Sequence, residues 1–412
     1  MRALLSTIGS RGDVQPLLAL AQALVALGHD VHLCVPPDFV PLAASLGLAA
    51  TPIGPELRAT GKAPVAGAAP PTAAERRKLT EDTVAAQFDT LLPLARDADV
   101  VVGATALQVA APSVAEKLGL PYVFAVYAPM VLPSPHHAPP VYALLGDAAD
   151  PPRETWPALW EQNLARFDAA FGAALNAQRA ALGLAPVASV SRHVFTARPL
   201  LAADPTLAPW PEPGDPGVAQ TGAWLVRDAR PLDLELEAFL AAGEAPVYFG
   251  FGSIRAPEGL ARTMLAAARA HGRRAIVLRG WAELDPGDDG ADVLTVGEVD
   301  QQALFRRVAA VVHHGGAGTT HVAALAGAPQ VVIPQHYDQP YYAGRVAALG
   351  AGVAHPAGAP TVESLTDALG RALAPEVAER ARALAEKIVT DGADVAARVI
   401  LAATREAERP TS

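Results

Sequence analysis

Short apolar runs, each followed by a glycine-bearing turn and then by an amphipathic stretch, recur along the whole chain. That rhythm predicts strands alternating with helices in parallel sheets covered on both faces, and so an α/β class. In the first half the expected strands are Ala3–Ile8, Val31–Val35, Val100–Val102 and Tyr122–Tyr127, and the expected helices include Val14–Leu27, Ala74–Ala95 and Ala106–Leu118. A proline-rich stretch, Asp204 to Pro231, can sustain neither a helix nor a central strand and is read as the connection between two domains. The rhythm then restarts, with strands at Val247–Phe249, Ala275–Leu278, Val293–Val296, Ala310–His313 and Gln330–Ile333. Helices are expected after Pro257 and at Gln302–Val308, Thr319–Ala326 and Tyr341–Leu349. The expected layout is residues 1–204 as a first domain, 205–231 as linker, 232–390 as a second domain and 391–412 as a terminal helix or tail packing back on the first. Two doubly wound domains of this kind face each other, and ligands collect at the carboxyl ends of their strands, here in the cleft between them. The non-periodic segments Pro55–Thr72 and Pro129–Pro157 are assigned to the same cleft, on the side of the first domain.

Length and composition narrow the partner. A chain of 412 residues has room for two cores. Its formal charge of −10 argues against nucleic acid and against docking on an anionic membrane, which leaves a small molecule. No apolar run is long enough to span a bilayer, and the opening MRALLSTIGSRGD turns to glycine and charge too soon for a signal peptide. The single cysteine, Cys34, lies in the apolar run VHLCV and excludes a disulfide framework, which fits a cytoplasmic location.

Four strand-to-helix turns carry candidate chemistry. In the run from Val311 to Thr320, a buried strand opens into His314, Gly315, Gly316, Ala317, Gly318, Thr319 and Thr320. Glycines let backbone N–H groups approach phosphate oxygens, a helix start favours negative charge, and the threonines and His314 add donors; a plain tight turn explains the glycines alone. After the next strand, Asp338 and Gln339 suit the hydroxyls of a sugar, although Asp338 equally suits a helix cap. After the first strand, Ser10 and Asp13 stand at the cleft edge, where Asp13 is either a general base or the cap of its helix. The turn Phe249–Ser253 offers a fourth set of N–H groups and the Ser253 hydroxyl. Neither glycine turn has the G-x-G-x-x-G spacing of a dinucleotide fold. His313, His314, His321 and His336 lack the spacing of a metal site, so no metal and no cofactor are expected.

With these residues in view, the chain resembles the GT-B glycosyltransferases of family 1, and most of all the bacterial enzymes that act on glycopeptide and related antibiotic aglycones. The resemblance runs end to end through STIGSRGDVQPLLALA, QTGAWLVRDARPLDLELEAFLAAG, VYFGFGS, RGWAEL, VGEVDQQALFRRVAAVVHHGGAGTTHVAALAGAPQ and YDQPYYAGRVAALG. It implies a GT-B fold of two facing Rossmann-like domains and a metal-independent, inverting transfer from a dTDP- or UDP-sugar to a hydroxyl of a hydrophobic aglycone. It implies that Asp13, where many relatives carry histidine, acts as or near the base with Ser10 beside it. It places the donor diphosphate on His314, Gly316, Gly318, Thr319 and Thr320 with help from Ser253, and the donor sugar on Asp338 and Gln339. Trp281 and Glu298–Gln301, Val299 among them, would border the nucleotide base. The acceptor is expected against Tyr127, Met130, His136 and Trp156 of the first domain, although such side chains also commonly pack helices. A transferase for lipid or sterol acceptors and a non-catalytic auxiliary homologue are the rival readings. The acidic balance speaks against the first, and intact Asp13, His314, Thr319 and Asp338–Gln339 speak against the second.

Overall fold

The computed structural model describes residues 1–60, 72–140, 151–212, 217–227, 230–253, 259–281, 283–288 and 290–407. Thirteen strands are assigned among them, all paired in parallel, in two sheets. The first sheet holds β1 (Arg2–Thr7), β2 (Asp30–Val35), β3 (Ala49–Pro52), β4 (Val100–Ala104), β5 (Tyr122–Val126), β6 (Leu200–Leu201) and β7 (Ala219–Gln220), in the order 3-2-1-4-5-6-7. The second holds β8 (Val247–Gly250), β9 (Ala275–Leu278), β10 (Val293–Val296), β11 (Ala310–His313), β12 (Gln330–Val332) and β13 (Gly352–Ala354), in the order 10-9-8-11-12-13. Both are doubly wound, with the order reversing beside β1 and β4 in one sheet and beside β8 and β11 in the other.

Unbroken apolar runs make the central strands. β4 is buried along its whole length, as a strand covered on both faces must be. Successive residues of β1 feed opposite cores: Ala3 and Leu5 join the Leu17, Leu20 and Leu24 side of the first helix (Arg11–Ala26), while Leu4 joins Val84, Phe88 and Leu91 of the helix Ala73–Ala95.

Several elements depart from the expected layout. β3, β6, β7 and β13 are additional strands of two to four residues, too short to leave an apolar signature. The helix expected from Ala106 begins at Ala111, because the preceding residues form the turn in which Thr105 takes a positive φ of 68°. A 26-residue helix, Trp156–Ala181, follows the segment assigned to the cleft. The linker boundary also moves, since β7 adds to the first sheet and the crossover therefore lies beyond Gln220. Residues 61–71 of the first non-periodic segment and 141–150 of the second lie outside the described residues.

The terminal helix Gly392–Ala407 packs on the first helix, burying Ala393, Ala396, Ala397 and Ile400, one stripe at helical spacing, in the core of the first half. The two passes between the halves cross backbone to backbone. A Cβ on Gly222 would stand 3.2 Å from the Cα of Gly392, and Gly222 itself takes a φ of 95°, open without strain only to glycine.

Candidate active site

Four turns meet at the carboxyl ends of the two sheets. The one after β1 is built around Asp13. Ser10 caps the first helix and Asp13 is its third residue, so the carboxylate reaches back: Oδ2 accepts from the Ser10 N–H at 2.7 Å and from its hydroxyl at 3.3 Å. Any Cβ on Gly9 would collide with that carboxylate, which is why the turn needs glycine there. Asp13 therefore does not cap the helix as its first residue, since Ser10 holds that place and the helix starts three residues earlier than Val14. Burial pushes the Asp13 pKa up to about 6, with the Ser10 hydrogen bonds pulling the other way. The Tyr127 hydroxyl donates to the Asp13 carbonyl at 2.9 Å.

The turn after β11 has the opposite character. Gly316 caps the helix Ala317–Leu325 with no side chain, so the N–H groups of its first turn have no hydroxyl or carboxylate of their own helix upon them. Gly315 takes a φ of 91°, and a Cβ there would stand 2.6 Å from Cγ1 of Val332. A Cβ on Gly316 would stand 2.6 Å from Nε2 of His314. Gly318 differs from both, because nothing lies within 4 Å of a Cβ placed there, and the space in front of the helix is open. His314 is held neutral, its pKa pulled to about 3 by burial, with His313 and His336 adding to the effect. Its Nδ1 and the hydroxyl of Ser253, from the turn after β8, are buried without a hydrogen-bond partner among the described residues. Open space at Gly318, on a helix start that glycine alone caps, is the arrangement that a phosphate group satisfies.

Asp338 stands at the start of the helix Gln339–Ala348 but makes no side-chain bond to it. Burial, followed by the charge of Asp13, raises its pKa to about 7, with the backbone N–H groups of Asp338 and Ala317 pulling the other way. Asp13 and Asp338 thus feel each other from opposite halves. Tyr337, just before, is one of four non-glycine residues at positive φ among the described residues, 61°.

Other expected residues fall elsewhere. Thr319 is partly accessible at the helix start, but Thr320 is buried and its hydroxyl lies 2.9 Å from the Gly316 carbonyl, so that donor serves the helix and not the cleft. Gln339 turns its Oε1 to the N–H groups of Gln335 and His336 at 2.7 and 3.2 Å, which shapes the loop and leaves its amide nitrogen as donor. Trp281 stacks on Phe39 of the first half at 5.7 Å, and both border a cavity of about 230 Å³ together with Arg11, Arg58 and Glu298. Val299 packs partly buried against the core of the second half. Met130 belongs to the core, Tyr127 gives its hydroxyl to Asp13, and the Trp156 ring lies under the guanidinium of Arg153 at 5.2 Å. Those three are therefore held by packing or by protein contacts, whereas His136 is half-exposed and 4.0 Å from Glu212.

The four histidines do not converge. His313 is a core residue between Gln330 and the Gly315 N–H, and His321 bonds the Ala317 carbonyl and the Asp204 N–H. Among the described residues no group of three or more His, Cys, Asp or Glu is gathered as a metal site, and no helix is long and apolar enough to cross a membrane.

Sequence reasoning missed the cross-domain ties: Arg11 to Glu298, Arg58 to Glu283 at 3.6 Å, and Arg345 to the Leu207 and Thr206 carbonyls at 2.8 and 3.1 Å. No local pattern announces partners so far apart in the chain.

Residues 3–134 match the glycosyltransferase family 28 N-terminal domain, and residues 287–400 match the erythromycin biosynthesis protein CIII-like C-terminal domain. The chain is similar to the vancomycin aglycone glucosyltransferase of Amycolatopsis orientalis, 50% identical over 413 residues that cover 100% of this chain and 99% of the relative. It is similar also to the dTDP-epi-vancosaminyltransferase of the same organism, 45% identical over 92% of each chain. In fold it matches the calicheamicin glycosyltransferase CalG4, with a TM-score of 0.71 at 19% identity over 99% of both chains.

Proposed function

The chain belongs to the GT-B glycosyltransferases of glycopeptide-antibiotic type, and from that premise we propose that Asp13 is the general base of an inverting sugar transfer to an aglycone hydroxyl. The observation that carries the reading is the confrontation across the cleft: a carboxylate fixed on Ser10 on one half, and on the other a helix start capped by glycine alone, with Asp338 close enough for its charge and that of Asp13 to act on each other. Asp13 uses Oδ2 for Ser10, and its other oxygen takes the proton of the acceptor hydroxyl as that hydroxyl attacks the anomeric carbon. The bond to the diphosphate breaks on the opposite face, in one displacement without a covalent intermediate. Charge developing on the leaving diphosphate falls to the N–H groups of the helix start, to Thr319, to the Ser253 hydroxyl and to His314, which being neutral both accepts and donates. These groups take the part that a cation plays in other transferases.

The donor is a nucleoside diphosphate sugar, and the name of the vancosaminyl relative favours dTDP as its carrier. Trp281, beside the 230 Å³ cavity, offers the ring on which the base stacks, with the buried Phe39 packed behind it. The acceptor reading, a large glycopeptide or related aglycone, rests on the relative that glucosylates the vancomycin aglycone. Asp13→Ala is expected to lower kcat by about 10²–10⁴-fold, the range of general-base catalysis, while calorimetry finds the affinity for dTDP within about twofold of the parent. Retained turnover would overturn the assignment of the base.

A further inference from the structure

The two halves are joined by a buried tyrosine pair that leads to the catalytic turn. The hydroxyl of Tyr342, a fully buried residue of the second half, donates to the backbone carbonyl of Tyr127 in the first half at 2.7 Å. The hydroxyl of Tyr127 in turn donates to the backbone carbonyl of Asp13 at 2.9 Å. At its other end Tyr342 is fixed to the donor side, because its N–H bonds the Asp338 carbonyl at 3.2 Å, one helical turn back. Its ring meets the edge of His321 at 5.5 Å. The Nδ1 of His321 lies 2.7 Å from the Ala317 carbonyl and its Nε2 accepts from the Asp204 N–H at 3.0 Å, so only the tautomer protonated on Nδ1 satisfies both. The Ala317 carbonyl, at the start of the donor-side helix, is thereby held by His321.

We propose that Tyr342 is a positioning residue whose hydroxyl, acting through Tyr127, sets the base Asp13 in register with the donor-side helix starts when the halves are closed. The proposal rests on the reading of Asp13 as the base. Neither tyrosine hydroxyl touches the reacting atoms. Each fills a buried backbone carbonyl, one of them the carbonyl of the base itself, and together they span the domain boundary at a single point where movement of either half is passed to Asp13. A misplacement of about 1 Å at a reacting group costs on the order of 100-fold in rate, so losing one link of the pair should be felt in the chemical step. The groups proposed to hold the donor diphosphate, on the turns after β8 and β11, all belong to the second half and remain in place.

Tyr342→Phe removes one oxygen and keeps the ring against His321. It is expected to lower kcat about tenfold or more, with the donor KM and the dTDP affinity each within about twofold of the parent. Tyr127→Phe cuts only the second link, leaves its carbonyl in place, and is expected to give a similar loss. Because the links act in series, the double variant should be no slower than the slower single variant. Tyr122→Phe supplies the control, since that hydroxyl is buried without a hydrogen-bond partner among the described residues, and parent kcat is expected. A kcat within twofold of the parent in Tyr342→Phe, losses that multiply in the double variant, or a loss carried by dTDP affinity would each overturn the proposal. Should Tyr342→Phe fail to fold, the Tyr127→Phe rate decides. An inactive Asp13→Ala beside a fully active Tyr342→Phe removes only this relay, whereas an active Asp13→Ala removes the base itself.

Discussion

The turns after β1 and β11 are the same device put to opposite uses. Each leads from a buried strand through glycine into a helix start beside the point where the strand order of its sheet reverses. After β1 the helix carries its own carboxylate, and Asp13 closes the cap on Ser10. After β11 the cap is Gly316, which brings no side chain, the carboxylate beside it is Asp338 of another helix, and the position of Gly318 faces open space. One turn uses a carboxylate of its own helix, the base in our proposal, while the other brings none of its own and leaves N–H groups that suit a departing diphosphate. A single side chain near a helix start, present or absent, decides which role the scaffold takes.

The contrast breaks most visibly with pH. If Asp13 is the base, as proposed, it must be ionised, so kcat/KM is expected to fall about tenfold per unit as pH drops below about 6, the value to which burial raises Asp13. Neutral His314, with its pKa near 3, adds no limb in that range. Stability should run the other way. An acid whose pKa rises on folding binds more protons in the folded chain than in the unfolded one, so the contribution of Asp13 and Asp338 is most favourable at low pH and is lost as pH climbs from about 4 through 6 and 7. Denaturant melts of Asp13→Asn should therefore lose part of that slope, and an unchanged slope would remove Asp13 from the account.

The next largest effect separates an anion site from a mere turn. Gly318→Ala meets no atom of the protein and should leave the fold intact or stabilise it by about 0.5–1 kcal/mol, as alanine does in a helix. The new methyl group stands in the open space before the helix start, and the affinity for dTDP is expected to fall about tenfold, a difference of about 1.4 kcal/mol. Unchanged affinity by calorimetry would mean that no phosphate sits there.

The smallest effect sharpens the division of labour between the two threonines. Thr320→Ala should cost about 1 kcal/mol of stability from its bond to the Gly316 carbonyl and leave dTDP affinity within twofold. Thr319→Ala should do the reverse, weakening dTDP several-fold with the melting temperature almost unmoved. A swap of the two outcomes would reassign the donor contact to Thr320.

Much of the candidate site was legible because each turn is local. Strand, glycine and hydroxyl or carboxylate lie within about ten residues of one another, and the physics of a helix start depends on nothing farther away. Thr320 shows the limit of that reasoning, since two adjacent threonines read alike until the helix turns one toward its own backbone. Asp338 was open between cap and ligand for the same reason, and its side chain makes no cap bond to the helix it precedes. Met130 and Tyr127 were indistinguishable from pocket walls because an apolar or aromatic side chain carries no mark of the side from which it is covered.

The sequence by itself determined the two-sheet architecture, the positions of the four turns and the type of group each contributes, because periodicity and glycine placement act over a few residues. Only the tertiary structure decided what faces what. The elevation of Asp13 and Asp338 needs burial and mutual approach, and the Tyr342 to Tyr127 bond joins residues 215 positions apart. Burial and long-range contact are properties of packing, and no stretch of chain carries them alone.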